Sequence, residues 1–265
     1  MRRYSIVHPL WMSFYEGAIF SDVAWNWQNR ALLYLLLLLG LVWIPYTLQT
    51  QKQLDEWIDI EAPYYINQIP TLSLADGKLA TKSSGPIFLR SRDGTILAII
   101  DPTGKFTNLN NTTASILITE KEIFIRGEDG QVQVTSLPDT PPETLTQEDL
   151  FIFTGWIHWL VNTFLYPIVL LISYIYRILQ SLVYAFVVSL LTKDSKVEGL
   201  PYITLFNLAI IALTPAIVLD TVHMLMGAPL PEWFWWPACV VLSLGYLRFG
   251  TRVAIASRPP EVLKT

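Results

Sequence analysis

The chain has 265 residues, 52% of them hydrophobic, with a formal net charge of −4 and a mean hydropathy of +0.40. Several apolar runs are long enough to span a bilayer, which excludes an ordinary soluble domain, and no basic patch interleaved with aromatics points to a nucleic-acid partner. Cys239 is the single cysteine, so an intrachain disulfide and a cysteine-based metal site are both excluded.

The average charge hides a split. Residues 50–150 carry fifteen acidic and eight basic side chains, and the rest of the chain carries seven and ten. Such asymmetry is expected of a protein with two membrane sides.

Residues 1–30 hold Pro9-Leu10-Trp11-Met12-Ser13-Phe14-Tyr15, then Ala18-Ile19-Phe20, Val23, Trp25 and Trp27, interrupted by Glu16, Asp22 and Asn26. Two readings stay open: an amphipathic helix lying in the cytoplasmic interface, or a helix packed on the bundle. The first span is predicted over 31–48, with Pro45 near its outer end. It begins too late for a signal peptide and lacks a small-x-small cleavage site, so an uncleaved anchor is expected.

Residues 49–147 change character. Asp76-Gly77, Asp93-Gly94, Thr103-Gly104 and Asp129-Gly130 mark turns between short β-prone runs such as Thr95–Ile100, Ser115–Thr119 and Glu122–Ile125. About six or seven strands are expected, in a small antiparallel all-β extracytoplasmic domain, as a sheet or open barrel. Gln53–Ile69 reads as a helical or extended stalk ending at Pro70, and Pro138–Pro142 as a linker that stops the sheet.

Residues 148–265 return to the membrane. The run from Leu150 to Leu191 would make one helix about 63 Å long, roughly twice a bilayer, so a break at Pro167 is expected. That reading gives an interfacial helix over 148–166 and a second span from about 168 to 192. The third span is expected over 202–224, with a kink at Pro215, and the fourth over 233–249. Arg2, Arg3 and Arg30, then Lys193 and Lys196, then Arg248, Arg252, Arg258 and Lys264 all fall on one side of a four-span α-helical bundle. Both termini are therefore expected in the cytoplasm, with the lipid bilayer as a partner.

Four elements carry a family resemblance. They are Pro9–Tyr15 with Asp22-Val23-Ala24, Ile66–Pro70 with Asp76-Gly77-Lys78-Leu79, Ile99–Gly104, and Leu213-Thr214-Pro215. Together they resemble an uncharacterised family of bacterial integral membrane proteins that includes maltodextrin-utilisation accessory proteins of Gram-positive bacteria. The resemblance covers nearly the whole chain. It implies a bacterial cytoplasmic (inner) membrane and this span–domain–spans layout, with no activity and no catalytic residues to carry over.

Candidate chemistry concentrates in the second and third spans. Ser173, Arg177, Gln180, Ser181 and Tyr184 share one face of the second. Arg177 and Asp220 fall roughly 22 and 27 Å above the cytoplasmic end, near enough in depth for an ion pair. The alternative has Arg177 snorkelling outward and Asp220 among headgroups. His223 extends the candidate cluster of Arg177, Gln180, Asp220 and His223; Asp-x-x-His can bind metal, but with no second ligand group it reads as interfacial, as does His158. Asn207, Thr214 and Thr221 are expected to bond between helices. Asp101-Pro102-Thr103-Gly104 reads as a turn in which Asp101 caps backbone groups. Ser83-Ser84-Gly85 has no paired base, and residues 49–147 contain no histidine.

These features predict a protein that is not an enzyme and has neither cofactor nor metal. Its β domain is expected to recognise a protein partner in the membrane or envelope, or a ligand. A transport component or accessory, with a sugar as one candidate cargo, using the Arg177/Asp220 pair is the alternative. An enzyme acting on lipid through Asp220 and His223 is the third reading.

Overall fold

The structure is a computed structural model that describes residues 4–28, 30–110, 112–127, 129–192 and 200–258. Arg2, Arg3, Lys193, Lys196 and Lys264, which contribute to the expected sidedness, lie outside the described residues. Contacts divide the chain into two units, Met1–Thr50 with Phe164–Thr265, and Gln51–Thr163.

The first unit is helical. It contains α1 (Pro9–Met12), α2 (Gly17–Asn26), the start of α3 (Arg30–Glu56), most of α5 (Gln147–Thr192), α6 (Tyr202–Ala212), α7 (Thr214–Leu225) and α8 (Glu232–Ala256). Glu16 caps α2 by accepting the Ala18 N–H at 3.1 Å. Ile19, Phe20 and Val23 of α2, and Trp27 just past its end, are then fully buried, in one core with Leu208, Ile210, Ile211 and Leu247. The N-terminal segment is therefore packed on the bundle, the second of its two readings. Gly250 makes this possible, since a Cβ there would collide with the Phe20 ring.

Four stretches are long and apolar enough to cross a membrane: Arg30–Ile66, Gln147–Leu190, Tyr202–Leu225 and Glu232–Ala256. The third is apolar all round and is the most deeply buried, as befits the centre of a bundle. It divides at Leu213, because Pro215 has no N–H to return to the preceding turn. Pro167 does not break α5, which runs unbroken for 46 residues. Beside it the Tyr166 hydroxyl donates to Gly40 O at 2.9 Å, and further along Tyr174 donates to Leu32 O at 3.3 Å. These bonds hold α5 along α3 through the proline.

The second unit starts with the end of α3, a π-helical turn (Trp57–Glu61) and α4 (Ala62–Ile66). The stalk of the sequence reading is thus helical, and the first helix continues past Pro45. Eight strands follow: β1 (Leu72–Ala75), β2 (Lys78–Thr81), β3 (Ile87–Arg90), β4 (Ile96–Asp101), β5 (Ile116–Thr119), β6 (Glu122–Arg126), β7 (Val132–Ser136) and β8 (Glu143–Leu145). They form a three-stranded sheet, β2-β1-β8, and a five-stranded sheet, β3-β4-β5-β6-β7.

Turn chemistry sets the hairpins. Asp76 and Gly77 both take positive φ, +50° and +66°, the requirement of a two-residue turn that matches strand twist. Asp93-Gly94 and Asp129-Gly130 close β3–β4 and β6–β7, with Gly94 and Gly130 again at positive φ.

Two expectations are corrected here. The larger sheet is mixed, not all-antiparallel, because β4 and β5 pair parallel. Residues 102–115 between them are long enough for the crossover that a parallel pair needs, and Thr103-Gly104 lies within it as a bend, not a hairpin. The prolines at 138–142 do not end the sheet either, since β8 follows them and pairs with β1.

Alternation along β4 gives the larger sheet two buried faces. Ile99 packs with Leu109, Ala114 and Leu117, and Ile100 with Leu72 and Leu79 of the smaller sheet. The crossover is held by Asp101, which is fully buried. Its Oδ1 accepts the Thr103 N–H at 3.0 Å and the Thr103 hydroxyl at 2.5 Å, and its Oδ2 accepts the Phe106 N–H at 2.6 Å. Burial pushes the Asp101 carboxyl up, but these hydrogen bonds outweigh it and hold it below the usual carboxylate range.

Candidate functional site

The polar face of α5 meets α7 and α8 around a cavity of about 630 Å³. Arg177 and Gln180 come from α5, Asp220 and His223 from α7, and Trp235 and Cys239 from α8. The short loop between α7 and α8 turns through Gly227 and Ala228, both at positive φ, which brings the start of α8 back beside the end of α7.

Arg177 and Asp220 are brought together, with Nη2 3.4 Å from Oδ2. The Arg177 side chain is 17% exposed and that of Asp220 35%. Each has a second partner. Arg177 Nη1 donates to Gln180 Oε1 at 2.7 Å, and Gln180 Nε2 donates to the Tyr184 hydroxyl at 2.9 Å. Trp235 Nε1 donates to Asp220 Oδ1 at 2.9 Å. Ser181 does not join the cluster; its hydroxyl returns to Arg177 O at 2.8 Å within its own helix.

His223 is buried and stacks on Trp235, with ring centroids 4.3 Å apart and planes at 14°. Its Nε2 lies 3.2 Å from both the backbone N and the backbone O of Leu230. It therefore braces the α7–α8 loop. Among the described residues no three His, Cys, Asp or Glu side chains converge as a metal-ligand group.

Trp235 was not legible as a site residue. Its indole is the link between Asp220 and His223, yet in the sequence it is one of four aromatics in Trp233-Phe234-Trp235-Trp236. Only the return of α8 beside α7 distinguishes it from its neighbours. Trp233 and Trp236 stay largely exposed at the cavity rim.

The other singled-out residues lie elsewhere. His158 pairs with Asp55 at 2.7 Å and contacts Asn162 at 2.8 Å. Tyr34 and Thr214 share a hydroxyl hydrogen bond at 2.8 Å that links α3 to α7, whereas Asn207 donates to Gln28 O at 2.6 Å, in the turn between α2 and α3 and not in a helix. Thr221 instead donates to Ile217 O in its own helix. Ser83 Oγ donates to Gly85 O at 3.2 Å, a local turn. Asp22, which is not among the candidate site residues of the sequence, is buried and accepts from Trp27 Nε1 at 3.0 Å and Asn26 Nδ2 at 2.8 Å. The i, i+4 spacing of Asp22 and Asn26 is the signal that could have found it.

The fold and this site define a helical-bundle protein with four membrane-length apolar stretches and an inserted β unit. A family model described as "Protein of unknown function (DUF1189)" matches residues 7–251, and the chain belongs to that family. No curated protein and no solved structure matches it.

Proposed function

We propose that this is a non-enzymatic, multi-pass protein of a bacterial inner membrane that binds a ligand in the cavity between α5, α7 and α8. The four apolar stretches cross the bilayer with both termini in the cytoplasm, and the β unit lies outside it. Asp220 stands five residues before the end of α7, about 7.5 Å along the axis, so the cavity lies near headgroup depth. Trp233 and Trp236 at its rim fit an aromatic belt there.

The observation that carries binding over catalysis is how Asp220 and His223 are occupied. Both Asp220 oxygens are taken, by Trp235 and by Arg177, and the His223 Nε2 is held by the Leu230 backbone. Groups committed to structural bonds position a ligand but do not shuttle its protons.

A full-length protein carrying a photo-cross-linking amino acid in place of Trp236, irradiated in native membranes, tests this reading. An adduct of small-molecule or lipid mass is expected. Adducts of protein mass alone, or no adduct, overturn it.

A second reading gives the β unit the recognition role. What favours it is β7, an edge strand whose residues are all exposed and uncharged. An edge of that kind is open to an added strand from a protein partner. The same cross-linker at Val134 is expected to capture a protein in the membrane or envelope. A clean protein lacking any such adduct removes this reading. A transport accessory role, whether for a sugar or another solute, is the alternative use of the Arg177–Asp220 pair. It is supported by the helix break at Leu213, about two helix turns before Asp220, and by the family resemblance alone for the sugar.

A further inference from the structure

Resting on the cavity as a binding site, we infer that its ligand is an amphiphilic organic cation, with an ammonium head held at the mouth by Glu232 and Trp236 and an apolar body running inward along α8.

Charge comes first. Two carboxylates, Asp220 and Glu232, line the cavity against one guanidinium, that of Arg177. Asp220 and Arg177 hold each other at 3.4 Å, and each has a further neutral partner. Glu232 differs from them. Among the described residues it has no ion pair and no hydrogen bond, although as the first residue of α8 it stands beside backbone N–H groups that the helix leaves free. A carboxylate without a partner at the mouth of an apolar-walled cavity sets a negative potential there, and low-dielectric walls focus it on whatever enters. An anion meets repulsion at that mouth, and its natural donor, Arg177, is already engaged.

The aromatic side chains select among cations. Trp236 follows Glu232 by four residues, so it lies one turn further in on the same face of α8, and Trp233 joins both in lining the cavity. Indole faces attract a cation, and quaternary ammonium groups are the class that aromatic cages take. A metal ion asks instead for several converging ligand side chains, and no such group occurs among the described residues.

The apolar body follows from the inner part of the cavity. Its α8 face continues through Cys239, Val240 and Ser243, at i+7, i+8 and i+11 from Glu232, which is about 16 Å of helix. These positions are half-buried or buried, unlike Val241 on the outer face of the same helix, which is largely exposed. The polar atoms near them are spent within the protein. The Ser243 hydroxyl donates to Cys239 O at 2.8 Å, and Gln180 links Arg177 to Tyr184. Hydrocarbon fills such a space, whereas a small hydrophilic cation leaves it empty.

The test uses the purified full-length chain in maltoside micelles and equilibrium dialysis of radiolabelled hexyltrimethylammonium, counted above a protein-free micelle blank. Saturable binding is expected. Three unlabelled competitors separate the parts of the ligand: tetramethylammonium carries the head alone, hexanol the chain alone, and hexyl sulfate the chain with the opposite charge. Each is expected to need a concentration at least about tenfold above that of unlabelled hexyltrimethylammonium. Glu232→Gln is expected to weaken binding by about tenfold, and Glu232→Asp to retain most of it.

Equal competition by hexanol or hexyl sulfate, or unchanged binding in a folded Glu232→Gln protein, overturns the cationic head and leaves the cavity as a site. Equal competition by tetramethylammonium overturns the apolar body. Absence of saturable binding overturns the proposal as a whole, whereas the cavity reading stands or falls separately on the adduct at position 236 in native membranes. The competitor series on the unmodified protein gives its answer even where Glu232→Gln does not fold.

Discussion

Trp235 and Arg177 approach the Asp220 carboxylate from two sides, the indole N–H on Oδ1 at 2.9 Å and the guanidinium on Oδ2 at 3.4 Å. One carboxylate thus ties α5, α7 and α8 together at the wall of the cavity.

Neutralising either partner of that pair leaves the other charge partly buried. Arg177→Gln or Asp220→Asn is expected to cost about 1–2 kcal/mol, below the figure for a fully buried pair because Asp220 is partly exposed and membrane polar pairs are modest. The double variant should cost less than the two singles added, with a coupling of about 1 kcal/mol. Thermal unfolding of the four full-length proteins in one detergent checks this. Strict additivity would show that the contact carries no energy.

The Phe20–Gly250 contact makes a packing prediction. Gly250→Ala forces a methyl into the Phe20 ring and is expected to destabilise by about 1–3 kcal/mol, the range for overpacking. In a Phe20→Ala background the ring is gone, and the same change should then be close to neutral. Thermal unfolding of the pair in each background measures the difference. An equal loss in both backgrounds would remove the contact as the cause.

Asp101 makes the domain acid-sensitive at a defined place. Its folded carboxyl lies below the usual range, so its contribution is present above the unfolded value of about 3.9 and is lost as pH falls through the folded one. Amide exchange at Thr103 and Phe106 in the full chain is expected to accelerate as pH falls below about 4, beyond the chemical rate change. Asp101→Asn should abolish that step. It should also cost about 1–3 kcal/mol, because an amide in place of Oδ2 turns a donor toward the Phe106 N–H. Protection in the wild type that is flat down to pH 2 would contradict the assignment.

The β1–β2 turn tests the hairpin geometry. Gly77 at φ +66° favours glycine, and Gly77→Val places a β-branched residue where it is most disfavoured. A loss of about 1–2 kcal/mol is expected, whereas Asp76→Asn should be near neutral because asparagine accepts positive φ. Unfolding of the full chain followed by β-sheet circular dichroism distinguishes them. A Gly77→Val protein as stable as the parent would exclude this turn.

Much of the architecture is local information. Runs such as Ala31–Leu48 and Tyr202–Met224 declare membrane-length helices by composition, and Asp76-Gly77 declares a hairpin because few residue pairs adopt two positive φ angles. Helical periodicity also put Arg177 and Gln180 on one face, and the rise per residue put Arg177 and Asp220 at similar depth. What could not be read was set by distant partners. Pro167 argued for a break, but the Tyr166 and Tyr174 hydroxyls anchor α5 to α3 on either side of it. The prolines before Glu143 argued for an end to the sheet, but an open edge of β1 takes β8 as a partner.

The sequence alone therefore determined the helical stretches, the turns of the β unit and one polar helix face, because each depends on residues close together in the chain. Tertiary structure decided that β4 and β5 run parallel, that α2 is packed on the bundle, and that Trp235 and no other aromatic of its cluster completes the Asp220 site. Those outcomes depend on which surfaces meet once the chain has folded, and no local periodicity encodes a partner 15 or more residues away.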